Sequence, residues 1–343
     1  MSKGTLIRCF GTLLLLLFIS FRLFSQNREL SSVRMMFYNA ENFFDIYDDP
    51  LRNDNDFLPN GVMHWNRTRY YHKVLSIYKV IMAAGEWNPP SLIGFCEVEN
   101  RSVLEDLISD TYLTRYKYSI IHEESRDPRG IDVCLIYRKD LLKLLDYKYI
   151  LPEDRTVIES RTRSVLYSRW LIAGDTLHLF LNHWQSRRGG VLRGEATRSS
   201  VSKMLRSKAD SLMKIRGSRA KIIIAGDFNC TPEDKEMSDL LRPGRGSQDL
   251  INLSEQYARR GEGTYRYLGR WEMLDQVIVS SGLLKGGGRV RTSEGSLRIF
   301  KSGFLLQNDT KYPGMSPFPT YRGFKYQGGY SDHLPVILDL EIR

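Results

Sequence analysis

The chain has 343 residues, 42% of them hydrophobic, and a formal net charge of +10, so it can bury a sizeable core in one large domain or two. Beyond residue 25, three cysteines remain, Cys96, Cys134 and Cys230, all within apolar runs. An odd number of such cysteines argues against a disulfide framework and a cysteine-based metal site. The sequence contains no internal repeat, low-complexity tract or Pro/Gly/Ser-rich linker, which favours a single domain.

The first 25 residues have the pattern of a secretory signal peptide. Lys3 and Arg8 precede the apolar run Leu13–Ile19, which is too short for a comfortable transmembrane span. We expect cleavage and an exported protein, periplasmic, cell-surface or secreted, with residues 26–343 as its mature domain; an uncleaved anchor is the alternative. Cleavage removes three basic residues and no acidic ones, so the formal charge falls from +10 to +7. A basic protein favours polyanionic partners such as nucleic acid or anionic lipid headgroups.

Strand-like and helix-like segments then follow in an irregular order. Short apolar runs bounded by turn residues predict strands at Val33–Tyr38, Leu92–Cys96, Ile131–Tyr137, Leu166–Ala173, Leu177–Asn182, Ile222–Ala225, Leu274–Val279 and Leu334–Ile342. Helical periodicity predicts helices at Arg67–Ala84, Val103–Ile108 and Glu195–Ile215. Because strands outnumber helices and the two alternate irregularly, we expect large mixed sheets with helices packed outside.

The predicted strand Ile222–Ala225 runs into Gly-Asp-Phe-Asn, with Asp227 and Asn229 two residues apart. Strand side chains alternate with period two, so both would project together from the carboxyl end of the strand. Open α/β sheets keep their ligand sites at that edge. The alternative is an Asp/Asn turn followed by a helix N-cap at Thr231, with Pro232 at the first helical position.

Five further segments place a polar residue beside an apolar strand. They carry Asn39, Glu97, His183, Asp275 and the pair Asp332-His333. Any one of these residues is more simply explained as a turn or cap residue. Six such segments, counting the one with Asp227, predict a catalytic edge.

The ordered set resembles the endonuclease/exonuclease/phosphatase superfamily, which includes pancreatic-type deoxyribonuclease, over nearly all of the chain from Asn39 to His333. The G-D-F-N and S-D-H-L-P-V elements are specific in combination. Asn182–Gly190 (N-H-W-Q-S-R-R-G-G) and Gly263–Tyr267 (G-T-Y-R-Y) resemble the exported bacterial members. The resemblance implies an α/β, deoxyribonuclease-I-like fold: a four-layer sandwich of two mixed β-sheets flanked by helices, with the site at one edge.

The resemblance also implies a division of labour among the site residues. Glu97 would bind a divalent metal, with help from Asn39 and Asp332. Its hard oxygen ligand suits Mg²⁺, or Mn²⁺ or Ca²⁺. Asp227 would orient or deprotonate the attacking water, and Asn229 would help to hold the phosphate.

Two histidines have separate implied tasks. His333, paired with Asp275, would offer a proton or positive charge to the phosphoryl oxygens. His183 would contact the phosphate or assist the leaving group, and we predict Asp132 as its partner, with a simple turn residue as the alternative for Asp132.

Two wider groups of residues are open to two interpretations. The arginines Arg187, Arg188, Arg193 and Arg198 either grip substrate phosphates, Arg187 foremost, or form a solvated basic face. The aromatic set His64, Trp65, Tyr70, Tyr71, Tyr321, Phe324, Tyr326 and Tyr330 either stacks on nucleotide bases or packs at the rim.

These residues predict a secreted, divalent-metal-dependent phosphoesterase, foremost a nuclease that hydrolyses phosphodiesters by in-line attack of an activated water. Nucleic acid is the expected substrate, and we expect a monomer without a protein partner. The alternative substrates are a phosphoinositide or inositol phosphate, or sphingomyelin, for which Tyr265–Trp271 is a candidate membrane hairpin. A non-catalytic exported binding module is a third hypothesis, although Glu97, Asp227 and His333 are all retained.

Overall fold

The computed structural model describes residues 30–86, 88–154, 162–187, 191–244 and 249–343, with only the backbone of residues 191–193. The predicted signal peptide lies outside these residues, and its cleavage and the export of the protein stay predictions. Residues Ser32–Arg343 form one compact unit.

The described residues form nineteen strands and six helices. The strands are β1 (Ser32–Phe43), β2 (Leu92–Val98), β3 (Tyr118–Ile121), β4 (Asp132–Arg138), β5 (Lys143–Ile150), β6 (Val165–Ile172), β7 (Asp175–His183), β8 (Lys221–Asp227), β9 (Leu250–Asn252), β10 (Tyr265–Tyr267), β11 (Arg270–Glu272), β12 (Asp275–Ser280), β13 (Val290–Arg291), β14 (Leu297–Ile299), β15 (Leu306–Asn308), β16 (Met315–Pro317), β17 (Tyr321–Arg322), β18 (Lys325–Tyr326) and β19 (Val336–Ile342). The helices are α1 (Arg67–Ala84), α2 (Arg101–Ser109), α3 (Val191–Arg216), α4 (Lys235–Leu241), α5 (Glu255–Arg259) and α6 (Ser281–Leu284).

Two mixed sheets carry the fold. The first has the order β13-β19-β1-β2-β4-β3, with β14 also paired to β19, and the second has the order β5-β6-β7-β8-β12-β9. Each sheet contains one parallel pair, β1 with β2 and β7 with β8, among antiparallel neighbours. These four strands carry Asn39, Glu97, His183 and Asp227, four of the predicted site residues, toward their carboxyl ends.

The two sheets pack face to face, and the helices cover their outer faces. Alternate residues of β1, such as Met36 and Tyr38, join a core cluster with α1 and α2, whereas Ile222 and Ile224 of β8 join a second cluster with α3 and α4. Between the sheets the approach is close, because a Cβ atom on Gly94 would lie 2.6 Å from a methyl group of Leu181. The predicted four-layer sandwich is therefore confirmed.

The strand and helix predictions agree with the structure wherever burial is strong. Helix α1 has the predicted bounds, and its buried residues recur at helical spacing from Tyr70 to Ile81. The sequence did not reveal β5, an edge strand whose side chains are mostly exposed, because exposed strands lack the apolar pattern. All three cysteines are free and buried. Among the described residues, no helix has the length and apolar character to cross a membrane.

Candidate active site

Three neighbouring strands of the second sheet bring three site residues side by side. His183 of β7 is in register with Asp227 of β8, and Asp275 of β12 is in register with the same Asp227. Since the register is fixed by buried backbone ladders and apolar faces, these side chains meet without help from a flexible loop. All three are buried.

The first sheet supplies the opposite wall of the site. Asn39, in β1, donates from Nδ2 to Asp227 Oδ2 at 3.0 Å and to Glu97 Oε1 at 3.3 Å. Its Oδ1 accepts the backbone N–H of Glu41 at 2.9 Å, which fixes the orientation of the amide. Asn39 therefore bridges the two carboxylates as a hydrogen-bond donor, and its implied assistance to metal binding by Glu97 stays a prediction.

The backbone at this edge is strained. Glu41, Asn42, Glu97 and Asn229 have φ between 49° and 58°, and they account for four of the nine non-glycine residues with positive φ in the described part of the chain. Such conformations are uncommon and cluster at functional sites. Here they turn side chains inward: the N–H of Asn42 binds Glu97 Oε2 at 3.1 Å.

Asn229 lies just beyond β8. Its backbone N–H donates to Asp227 Oδ1 at 2.9 Å, and its side-chain Nδ2 donates to the carbonyl of Trp184 at 3.1 Å. The Asp/Asn turn of the alternative interpretation thus exists, and it holds the Asp227 carboxylate. Helix α4 begins later than the alternative at Thr231 required, with Asp234 as its N-cap.

His333 is anchored by Asp275, as the sequence predicted. His333 Nδ1 lies 2.6 Å from Asp275 Oδ2, and the Thr264 hydroxyl donates to the same carboxylate oxygen at 2.5 Å. Burial lowers the pKa of His333, but the charges of Asp275 and Asp227 outweigh it and raise that pKa well above the usual value. This shift favours the protonated form of His333, whose Nε2 lies 3.9 Å from Asp227 Oδ2.

Asp227 occupies the centre of the site. Its side chain is 2% exposed, and Nε2 of His183 lies 3.7 Å from its Oδ2. Burial raises the pKa of Asp227 to about 7; the charge of His333 opposes this shift, and that of Asp275 adds to it. A carboxylate with this pKa can accept a proton near neutral pH.

His183 is the neutral counterpart of His333. Burial, followed by the charges of Arg163 and Arg129, holds the pKa of His183 well below its usual value. Its Nε2 lies 3.8 Å from Glu97 Oε1, and among the described residues its buried Nδ1 has no hydrogen-bond partner.

The predicted pairing of Asp132 with His183 is wrong. Asp132 Oδ2 lies 2.8 Å from His122 Nε2, and Asp132 Oδ1 accepts the N–H of Ser125 at 2.8 Å. The reason is local, because the antiparallel pairing of β3 with β4 brings the residues after β3 beside the start of β4. His122 was not among the residues predicted from the sequence.

The arginine cluster divides into different environments. Arg187 forms an ion pair with Asp234 and donates to the carbonyl of Asn229 at 3.0 Å, so its contact with phosphate stays a prediction. Arg198 is buried and paired with Glu236 at 2.9 Å, which fits neither a phosphate grip nor a solvated face. Arg188 and the side chain of Arg193 lie outside the described residues.

Two buried ionisable side chains behind the site, Glu41 and Lys73, were not predicted from the sequence. Glu41 accepts the N–H groups of Thr320 and Tyr321, and Lys73 donates to the Thr320 hydroxyl at 2.5 Å. Burial raises the pKa of Glu41 to about 8, with the charge of the predicted metal ligand Asp332 adding to it, and burial lowers the pKa of Lys73 to about 8. Lys73 in the apolar stripe of α1 was the signal that could have revealed this pair.

Glu97 and Asp227 fit a divalent cation. They are hard oxygen donors, both bonded to Asn39, and carboxylates of this kind suit Mg²⁺, Mn²⁺ or Ca²⁺. Within the described part of the chain, no lysine or arginine forms an ion pair with either carboxylate, and the only basic side chains within 4.0 Å of them are His183 and His333. A bound cation would offset the electrostatic cost that raises the pKa of Asp227.

Most of the aromatic set packs against the core of the protein, fully or partly buried. Trp65 is fully buried, and Tyr321 packs against Trp65 in a tilted arrangement and against Tyr326 edge to face, with ring centroids 5.9 and 5.4 Å apart. Phe324, at the tip of the β17–β18 hairpin, is 71% exposed. In the β10–β11 hairpin, Tyr267 and Leu268 are exposed, so that hairpin can contact a ligand.

A family model described as "Endonuclease/Exonuclease/phosphatase family" matches residues 34–342. This range includes every predicted site residue. No curated protein matches the chain significantly.

Solved structures show the same fold at low sequence identity. A zebrafish (D. rerio) TDP2 complexed with a single-strand DNA product has 15% identity and a TM-score of 0.53, covering 91% of this chain and 99% of that one. The human Nocturnin catalytic domain with bound sulfate has 16% identity and a TM-score of 0.53, covering 91% and 95%. A mannosyl-6-phosphatase from Bacteroides thetaiotaomicron has 15% identity and a TM-score of 0.55, covering 90% and 99%.

Proposed function

Because the chain belongs to the endonuclease/exonuclease/phosphatase family, we propose that it is an exported divalent-metal-dependent phosphodiesterase, and specifically a nuclease. The observation that carries the proposal is the surroundings of Asp227, whose Oδ2 lies 3.0 Å from Asn39 Nδ2, 3.7 Å from His183 Nε2 and 3.9 Å from His333 Nε2. A proton acceptor is thus held between a neutral and a charged imidazole at one edge of a rigid sandwich.

Each residue has a defined task in this proposal. Asp227 orients the attacking water and takes its proton, for which a pKa near neutrality is suited. Charged His333, fixed by Asp275, stabilises negative charge on the phosphoryl oxygens. Neutral His183 lies on the other side of Asp227 and contacts the phosphate or the leaving oxygen.

The metal would be held by Glu97 and by Asp227 or Asp332. When bound, a divalent cation neutralises charge on the phosphate and polarises the phosphorus–oxygen bonds. Asn39 positions Glu97 for this role by bonding it and Asp227 together.

Nucleic acid is favoured as the substrate by the formal charge of +7 on residues 26–343, which is +10 minus the three basic residues of the first 25, since phosphate contacts dominate nucleic-acid affinity. The exposed aromatic ring of Phe324 and the side chains of Tyr267 and Leu268 are available to stack on unpaired bases. The single-strand DNA product in the zebrafish TDP2 structure is consistent with this choice.

A hydrolysis panel tests the proposal. The purified chain is incubated with plasmid DNA, single-stranded RNA, sphingomyelin, phosphoinositides, a hexose 6-phosphate and bis-p-nitrophenyl phosphate, each with Mg²⁺, Mn²⁺ or EDTA. We expect cleavage of nucleic acid and of the aryl diester, lost with EDTA. Turnover of lipid, inositol or sugar phosphates alone would overturn the nuclease assignment and retain the hydrolase, and no turnover of any substrate would overturn both.

A further inference from the structure

Arg129 lies in a turn that leads into the active-site edge. The turn is closed by the bond from Gly130 N–H to the carbonyl of Asp127, at 3.0 Å. Strand β4 begins two residues later, and its first residue, Asp132, is in register with Val98, the neighbour of Glu97. The turn therefore ends beside the carboxylate that is predicted to bind the metal.

The Arg129 side chain is held in place by Asp127. Its Nε and Nη2 donate to the two carboxylate oxygens of Asp127 at 3.2 and 3.1 Å. Asp127 also accepts from Nη1 of Arg163 at 2.9 Å, and Arg163 donates to the backbone carbonyls of His183 and Trp184 at 3.0 and 2.6 Å. A continuous chain of charged hydrogen bonds thus ties Arg129 to the end of β7, where His183 lies.

The charges of the hydrogen-bonded cluster Arg129–Asp127–Arg163 do not cancel. One carboxylate, Asp127, is shared by two guanidinium groups, so the cluster has a net charge of +1. The Arg163 side chain is only 1% exposed, whereas the Arg129 side chain is 52% exposed. The uncompensated positive charge is therefore presented to solvent by Arg129.

That charge acts on the site. The charge of Arg129 contributes to the low pKa of His183, after burial and Arg163. Burial lowers the pKa of Arg129, but the charges of Asp127 and then Glu97 outweigh burial and raise that pKa overall. The guanidinium thus lies within electrostatic range of both His183 and Glu97.

Arg187, the arginine that the sequence foremost predicted to contact phosphate, differs from Arg129 in its charge balance and in its contacts. It forms an ion pair with Asp234, and that carboxylate otherwise accepts only from the uncharged N–H and hydroxyl of Thr231 among the bonds described. The Arg187–Asp234 pair is therefore neutral, and it braces the loop after β8 through the carbonyl of Asn229.

We propose that Arg129 forms an anion-binding subsite of the active site and grips an oxygen of a substrate phosphoryl group beside Glu97 and His183. The inference rests on the proposed function and names the arginine that binds its substrate. A guanidinium matches the geometry of phosphate and is pre-organised here by its Asp127 bonds. Among the described contacts, the bonds to Asp127 use Nε and Nη2, so Nη1 is available to donate to a phosphoryl oxygen.

The experiment compares Arg129→Gln with the matched variant Arg169→Gln, because Arg169 in β6 also donates from Nε and Nη2 to an aspartate, Asp146, at 3.0 Å. Binding of inorganic phosphate is measured by titration calorimetry in EDTA, and hydrolysis of bis-p-nitrophenyl phosphate is measured with Mn²⁺. We expect Arg129→Gln to weaken phosphate binding and to raise KM by about 10- to 100-fold, the range for a hydrogen bond to a charged group. Arg169→Gln should change both by less than about 3-fold.

A second variant separates charge from folding. Arg129→Lys retains the charge without the planar fork, so we expect phosphate affinity between those of the wild type and Arg129→Gln, with the thermal midpoint of the wild type. Unchanged phosphate binding and KM in Arg129→Gln, or an equal or larger loss in Arg169→Gln, would overturn the subsite. Wild-type protein that binds phosphate through Arg129 but hydrolyses no substrate would support the subsite and overturn the proposed function.

Discussion

Two histidine–aspartate pairs in this protein look alike and differ in what surrounds them. His333 lies 2.6 Å from Asp275, and His122 lies 2.8 Å from Asp132. The His333 pair joins segments 58 residues apart and leaves Nε2 facing Asp227 at 3.9 Å. The His122 pair uses Nε2 itself and closes a connection only 10 residues long.

The surrounding charges differ as well. Around His333 the neighbouring carboxylate is Asp227, which is buried and has no lysine or arginine ion pair within the described residues. Around His122 the neighbouring carboxylate is Glu124, at 4.0 Å, which is half exposed and bonded to Arg52 at 3.3 Å. A short contact between histidine and aspartate therefore indicates a site only when the second ring nitrogen faces another reactive group.

Alanine substitutions of the two histidines give the largest expected contrast. His333→Ala should lower kcat on bis-p-nitrophenyl phosphate by about 10²- to 10⁴-fold, because the charged imidazole at Asp227 is lost. His122→Ala should leave kcat within about 3-fold and lower the free energy of unfolding by about 1–3 kcal/mol, because Asp132 loses a buried partner. Steady-state kinetics and urea unfolding of both variants measure these effects.

Equal losses of kcat in the two variants would contradict the distinction between a catalytic pair and a structural pair. Circular dichroism of each variant is the control for folding.

A third histidine, His178, is paired with a tyrosine phenol instead of an aspartate. His178 Nδ1 lies 2.8 Å from the Tyr167 hydroxyl, and burial, followed by the charge of Arg216, lowers the pKa of His178 to about 4. Between pH 6.5 and 4 the unfolded chain binds more protons than the folded one, so this residue makes the free energy of unfolding fall as pH falls. The loss approaches roughly 3 kcal/mol near pH 4.

Urea unfolding of wild type and His178→Gln from pH 4 to 8 isolates this contribution as the difference between the two curves. We expect the wild type to lose more stability on acidification than the variant. Parallel curves would show that His178 is not the source of the acid sensitivity.

Much of this site could be predicted from sequence because strand ends are visible there. Asn39, Glu97, His183, Asp227 and Asp275 each adjoin an apolar strand, and the sheet registers place them together. The partner of His183 could not be predicted, because pairing depends on three-dimensional proximity, and Asp132 already has a partner in the preceding connection.

The arginines also show that partners depend on three-dimensional proximity and not on spacing in the sequence. Arg187 follows His183 closely in sequence, but the shared carboxylate of Asp127 leaves the uncompensated charge on Arg129 instead. Only the structure reveals how many partners one carboxylate has. Similarly, Lys73 is a charge in an apolar stripe, and its buried acceptors come from a loop some 250 residues away.

We infer that Asp227 is the catalytic carboxylate of a metal-dependent phosphoesterase. The Mn²⁺-dependent hydrolysis of bis-p-nitrophenyl phosphate by wild type, Asp227→Asn and the matched variant Asp132→Asn tests this assignment. We expect Asp227→Asn to lose at least about 10²-fold in kcat with its fold intact, and Asp132→Asn to retain wild-type kcat within about 3-fold. An unchanged rate in Asp227→Asn would contradict the assignment of Asp227 as the catalytic carboxylate.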